Sequence, residues 1–367
     1  MRVGDDISAC FAQTYAEART KFLDAADAAG LDTHSHPHPM LGRDGELLAL
    51  DVVRDGPTDA KHLLLISSGC HGVEGFCGSG IQVALLNDAA WRQQAHAAGV
   101  AVLYLHALNP YGFSWWRRTT QENVDLNRNF SDFHQPLPAN PGYDEIAHLL
   151  VPNTWPPRWR DQWGILAFLL RHGPRALQTA VSGGQYTHAQ GLFYGGRSPT
   201  WSHVTLRHVL REQGARAERL AWIDLHTGLG PSGVGERIYA GRPDAAAVAR
   251  ARNWWGPKIT SIYDGSSSSA QLTGLMWGAA YDECPQAEYT GIALEYGTVP
   301  LRQVLRALRA DQWLENHPEH LATRGPAIKR QIRDAFYTDT LAWKQRVVAQ
   351  AMEAARQGVA GLVAVRN

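Results

Sequence analysis

The chain has 367 residues, long enough to bury a large core, with 44% hydrophobic and 19% charged residues. Its 35 basic and 35 acidic residues cancel, so it lacks the electrostatic footprint of a nucleic-acid binder or of a protein held to an anionic membrane. No apolar run approaches the roughly 18 residues of a membrane span. The four cysteines, Cys10, Cys70, Cys77 and Cys284, form neither a paired framework nor a C-x-x-C.

In chain order, residues 6–30 carry an amphipathic helical pattern without the apolar centre of a signal peptide. Free thiols and no leader point to the cytoplasm. "THSHPHP" (33–39) sets three histidines in alternation, yet its prolines read as a loop. "LGRDGELLALDVVRDG" reads as two short strands around a turn at Asp44-Gly45. "HLLLISSG" (62–69) and "VAVLYLHAL" (100–108) are nearly continuous apolar runs, as in strands covered on both faces. The helical "SGIQVALLNDAAWRQQA" between them predicts a parallel pair with a crossover helix.

Residues 109–157 are rich in Pro and Asn and read as long loops. "DQWGILAFLLRHGPRALQTAV" reads as helix, broken near Gly173-Pro174. "LAWIDLHTG" (220–228) and "AEYTGIALEYGT" (287–298) are two more buried strands ending in polar residues. "DGSSSS" (264–269) reads as a loop, and helices near 300–316 and 325–356 close the chain. The expectation is a three-layer α/β/α fold with a mixed, mostly parallel central sheet.

Four strand ends carry chemistry. The first gives His71 and Glu74 in "SSGCHGVEGF"; the second leads into "NPYGFSWWRRTTQENVDLNRNF"; the third gives His226 and the fourth Glu295. Ligands gather beyond the carboxyl ends of strands in open α/β sheets, so these ends can meet in one cleft. Two imidazoles and one carboxylate make a catalytic zinc site with an open position, and His71, Glu74 and His226 supply that set. A carboxylate free of the metal can take a proton from water and pass it to a leaving nitrogen; Glu295 is the candidate. Arg118, Asn127 and Arg128 are candidates for holding a substrate carboxylate and an oxyanion. Asp125 can accept from His71, and Asp224 can orient the strand end near His226.

Taken singly, each feature has a plainer reading. His-x-x-Glu arises readily as a helix N-terminal pair, and arginines usually pair with acids at the surface. "HPEH" (317–320) suits a helix end, and Cys70 and Cys77, which flank the His-x-x-Glu pair, suit packing. "QYTHAQGLFYGG" fits a pocket wall or a turn packed by its own aromatics. No Gly-x-Ser-x-Gly elbow is present, because Gly78-Ser79-Gly80 has the wrong form, so a serine hydrolase is disfavoured.

In order, His71/Glu74, Asn109-Pro110, Arg118, Asp125-Leu-Asn127-Arg128, His226 and Glu295 resemble the pattern of the zinc carboxypeptidase superfamily, over roughly residues 62–300. Asp-Leu-Asn-Arg and Asp-Leu-His are more similar to the murein-peptide amidases and the aspartoacylase/succinylglutamate desuccinylase branch than to the digestive enzymes. "GGQYTHAQGLFYGGRSPTWS" (183–202) resembles a bacterial branch known as a domain of unknown function.

The resemblance implies one zinc per chain on His71, Glu74 and His226, with Glu295 as base and acid. It implies transition-state and carboxylate contacts from Arg118, Asn127 and Arg128, with the adjacent Arg117 as the rival of Arg118. The substrate-closing tyrosine of the digestive branch has no clear match; Tyr263 and Tyr281 are the candidates.

The expected arrangement is a single zinc-hydrolase domain over 1–367, with a catalytic core at about 46–320 and helical additions at 1–32 and 325–367. The first expectation for its substrate is a small peptide, cleaved as a carboxypeptidase would. The second is an N-acyl amino acid, and the third is a non-catalytic zinc-binding relative.

Overall fold

The apolar runs become the middle of a sheet. The computed structural model describes residues 7–364; residues 1–6 and 365–367, the outer ends of the two expected helical additions, lie outside the described residues. The strands are β1 (Thr33–Leu41), β2 (Leu47–Asp55), β3 (His62–Ser67), β4 (Val100–His106), β5 (Arg219–Ser232), β6 (Gly235–Tyr239) and β7 (Glu288–Gly297). The helices are α1 (Tyr15–Ala28), α2 (Gly75–Asn87), α3 (Ala89–Ala97), α4 (Pro110–Ser114), α5 (Pro141–Leu150), α6 (Trp159–His172), α7 (Pro174–Ser182), α8 (Trp201–Gly214), α9 (Ala245–Trp255), α10 (Gly278–Glu283), α11 (Leu301–Asn316), α12 (Leu321–Phe336) and α13 (Leu341–Val363).

The sheet order is β1-β2-β4-β3-β5-β7-β6. Its four central strands, β4, β3, β5 and β7, are parallel, and the flanking pairs are antiparallel. Side chains alternate across it as a pleat requires. Leu64 and Ile66 join one core, packed under α1, α2, α9 and α13. Leu63 and Leu65 join another, packed under α8 and α10. The mixed three-layer α/β/α fold is therefore present, with the expected parallel β3–β4 pair.

Several elements differ from the expectation, each for a local reason. "THSHPHP" is not a loop but part of β1, which pairs only with β2 (His36 opposite Leu50, Pro37 opposite Ala49). An edge strand tolerates proline because the lost N–H is not needed on its free side. The long helix across 79–95 is two helices, because the Asp88 side chain accepts from Trp91 N at 2.9 Å and starts α3.

The supposed loops of 109–157 contain α4 and α5. There Asn109 and Asn140 are caps, and Pro110 and Pro141 stand in the first turns, where a missing N–H costs nothing. The closing helix divides into α12 and α13 at Tyr337–Thr340, with Thr340 capping α13. Strand β6 and helices α8, α9 and α10 went unread. Gly173 does separate α6 from α7.

Candidate metal centre

The site forms where the chain reverses direction across the sheet. From β3 it goes to β4 on one side, then returns to β5 on the other, so the carboxyl ends of β3 and β5 border a crevice. His71 and Glu74 follow β3, in a single turn that leads straight into α2. His226 lies on β5, directly beside Glu295 on β7. Asp125 and Arg128 come from the loop after β4.

That turn fits because Gly72 has no side chain. A Cβ there would lie 2.0 Å from the carbonyl carbon of Gly112. The Gly72 and Val73 N–H groups donate to the carbonyls of Arg118 and Arg117 (3.2 and 2.7 Å). The same backbone thus holds the His-x-x-Glu turn and positions Arg118, whose carbonyl also accepts from Asn109 Nδ2 at 3.3 Å.

His71, Glu74 and His226 are buried, and one ligand atom from each lies within 4.8 Å of the others. His71 turns Nδ1 to Glu74 Oε1 (2.9 Å) and Nε2 to Asp125 Oδ1 (3.1 Å). His226 repeats the arrangement, with Nδ1 3.0 Å from Glu74 Oε2 and Nε2 2.5 Å from Asp224 Oδ2. Both imidazoles therefore point one nitrogen at a shared carboxylate and lean the other on a buried aspartate, as metal-binding histidines do. Asp224 is itself held by Ser67 Oγ (2.6 Å), which accepts from Trp222 Nε1 (2.7 Å).

The charges follow this geometry. Burial works against ionisation of Glu74, but His71 and His226 outweigh it and hold the carboxyl well below its usual range. Burial works against charge on His226 too, and Asp224 more than reverses it. Asp125 is held low against burial by Arg118 and His71. Glu295 goes the other way: burial, with Glu74's negative charge added, pushes it up to about 8. Its Oε1 accepts from Leu229 N–H at 3.0 Å, and no ion pair ties it down among the described residues.

Arg118 donates from Nε to Asp125 Oδ2 (2.9 Å) and from Nη1 to Glu74 Oε1 (3.2 Å). Arg128 is buried and donates to the carbonyls of Ser182 and Asn127 at 2.7 Å each. Asn127 Oδ1 accepts from Met276 N–H at 2.9 Å. The Phe193 ring lies 5.1 Å from the Arg118 guanidinium and 5.8 Å from that of Arg128. His71, Glu74, Arg118, Asn127, Arg128, His226 and Glu295 all line one cleft of about 450 Å³.

Arg117 does not join them. Its guanidinium meets Asp311 (3.5 Å) and Glu315 (3.3 Å), which Lys329 of α12 also pairs, so its charge is spent on the α11 carboxylates. The tyrosine candidates fail for a similar reason. Tyr263 OH donates to the Gly241 carbonyl and Tyr281 OH accepts from Arg242 N–H; neither lines the cleft.

Cys70 and Cys77 are buried thiols pushed up by burial, although Cys70 approaches Asp224 and His226 closely enough for a second ligand set. The histidines of 33–39 and 317–320 belong to no metal-ligand cluster among the described residues. Ser79 Oγ lies 2.9 Å from His106 Nε2, and His106 Nδ1 lies 3.9 Å from Asp51, but these residues are buried away from the cleft.

Some partners were not anticipated: Leu229 N–H on Glu295, the Ser182 carbonyl on Arg128, and Phe193 between the two arginines. Only Phe193 had a signal, the aromatic, Gly-rich "GLFYGG". The others are backbone groups, which residue identity does not reveal.

Residues 11–350 match a family model described as a protein of unknown function, DUF2817. No curated protein matches the chain. Among solved structures it is similar to thrombin-activatable fibrinolysis inhibitor, with a TM-score of 0.52 and 11% identity over 99% of this chain and 80% of that one. The bovine form in complex with tick carboxypeptidase inhibitor gives 0.50 and 11% over 96% of this chain and 97% of that one. Carboxypeptidase A from Helicoverpa armigera gives 0.46 and 13% over 88% and 74%. At such identities the likeness is one of fold, and it is the carboxypeptidase-like fold the motifs implied.

Proposed function

The chain belongs to the DUF2817 family, and from that premise we propose that it is a zinc-dependent hydrolase of amide bonds, a single domain working in the cytoplasm. One observation carries this reading: two imidazoles converge on Glu74 while each leans on its own aspartate, with an uncommitted carboxylate, Glu295, on the adjacent strand.

His71, Glu74 and His226 would hold the metal, and their three-donor set of two nitrogens and one oxygen is the one catalytic zinc takes with a position left open. When bound, zinc supplies a Lewis acid that acidifies water and polarises the scissile carbonyl. Nδ1 of each ring faces Glu74 and would be the atom that binds the metal, while Nε2 would keep its proton and donate a hydrogen bond to Asp125 in His71 and to Asp224 in His226.

Glu295 takes the proton from the attacking water and delivers it to the departing nitrogen. A group with an affinity for protons near neutrality can do both, and the environment of Glu295 raises its affinity in that direction. Arg118 holds the oxyanion. Asn127 and Arg128 hold a substrate carboxylate, with the Ser182 and Asn127 carbonyls and Phe193 fixing the Arg128 fork.

A short peptide and an N-acyl amino acid both present such an amide and carboxylate. The test is hydrolysis of a mixed panel of both by the purified protein and by Glu295→Gln. Turnover by the wild type and its loss in the variant support the reading. Turnover that survives Glu295→Gln, or no turnover of any member, refutes it.

A further inference from the structure

The cleft continues well past the metal end, and its chemistry changes there. On α11, Leu301, Val304, Leu305 and Leu308 all line it, at positions i, i+3, i+4 and i+7. That spacing is an apolar helix stripe; Val304 and Leu308 also belong to a core shared with Val181 of α7 and Phe336 of α12, so the cleft is cut into the edge of that core. On α7, Leu177 and Val181 line the cleft too. In α6, Phe168 enters the core that Ile165 packs against, and Ile165 and Leu169 also line the cleft.

Few polar side chains of α6, α7, α11 and the adjoining β5 line this end, and their donors are engaged within the fold. Gln178 Nε2 donates to the Ser268 carbonyl (2.8 Å), Ser182 Oγ to the Gln178 carbonyl (2.8 Å), and Thr227 Oγ1 to the Phe336 carbonyl (2.7 Å). A peptide backbone running along such walls would bury amide groups with few partners, at a cost of about 1–3 kcal/mol for each unpaired group. A hydrocarbon chain has nothing to leave unpaired. The cleft's volume of about 450 Å³ is that of a site for a whole small ligand rather than one amino-acid side chain.

We propose that the substrate is an N-acyl amino acid whose acyl group is a long aliphatic chain, housed between the apolar stripes of α6, α7 and α11. This rests on the amide-hydrolase reading and names its substrate class. Water adds to the acyl carbon and the C–N bond breaks. The nitrogen leaves with the proton carried by Glu295, giving a fatty acid and a free amino acid.

The test is kcat/KM for N-acylglycines of increasing acyl length, from acetyl to palmitoyl, beside peptides ending in Leu or Phe. Each added methylene is expected to raise kcat/KM about three- to fourfold until the cleft is filled, and Leu305→Trp to move the optimum to shorter chains. Hydrolysis that is best with acetylglycine or with the peptides, without gain along the series, overturns this inference and leaves the hydrolase reading standing. No hydrolysis of any member overturns both.

Dodecanoate binding measured by calorimetry on Glu295→Gln gives a readout free of catalysis. Binding weakened at least tenfold by adding Leu305→Trp supports the chain site, and absence of binding overturns it.

Discussion

Glu295 and the two adjacent arginines separate catalysis from architecture at the level of single side chains. Glu295 lies on β7 beside His226 with one backbone N–H on its carboxylate, so replacing it by Gln changes proton transfer and little else. Glu295→Gln is expected to lower kcat by about 10²–10⁴-fold while the fold, checked by thermal unfolding, is kept. Arg118 and Arg117 are neighbours in sequence with different work. Arg118→Ala is expected to lower kcat by about 10²–10³-fold in steady-state kinetics. Arg117→Ala leaves Asp311 and Glu315 sharing Lys329 as their one remaining cation among the described residues, and chemical denaturation should show a loss of about 1–3 kcal/mol.

At the level of elements, the turn between β3 and α2 is the tightest requirement. Gly72→Ala would drive a methyl group into the Gly112 backbone, which cannot give way as a flexible side chain could. The loop must open, carrying His71 and Glu74 apart. The expected result is lost metal binding together with at least about 1–3 kcal/mol of stability, read by metal titration and denaturation.

Legibility also divides by element. The buried strands were readable because four parallel neighbours, covered on both faces, need apolar side chains at nearly every position. The metal-capable residues were readable because they stand at the ends of those strands. Edge strand β1 was misread because a free edge accepts the prolines that argue against a strand elsewhere. Helices α4 and α5 were missed because Asn-Pro is both a loop signal and a helix start. The site's backbone donors had no signal, since every residue offers the same N–H.

For the whole molecule, stability should depend on acid through buried histidine. His106 is buried between Phe22, whose ring stacks on it at 4.4 Å, and Ser79. Burial pushes its pKa from 6.5 down to about 4. The unfolded chain therefore binds the proton first: this contribution is fully present above about pH 6.5 and is lost as pH falls towards 4. The difference corresponds to about 3 kcal/mol at most. Denaturation of the wild type and His106→Gln at pH 7.5, 5.5 and 4 should show the wild type losing more over that interval.

The two cores on either face of the sheet hold the strands whose ends meet at the cleft, so fold and centre stand together. No described helix is long and apolar enough to cross a membrane.

The most direct test of the central claim is the zinc content of the purified protein, by elemental analysis, for the wild type, His71→Ala, His226→Ala and Glu295→Gln. The account predicts about one zinc per chain in the wild type and in Glu295→Gln, and little in either histidine variant. A zinc-free wild type that still hydrolyses amides, or zinc retained when His71 and His226 are replaced, would contradict it.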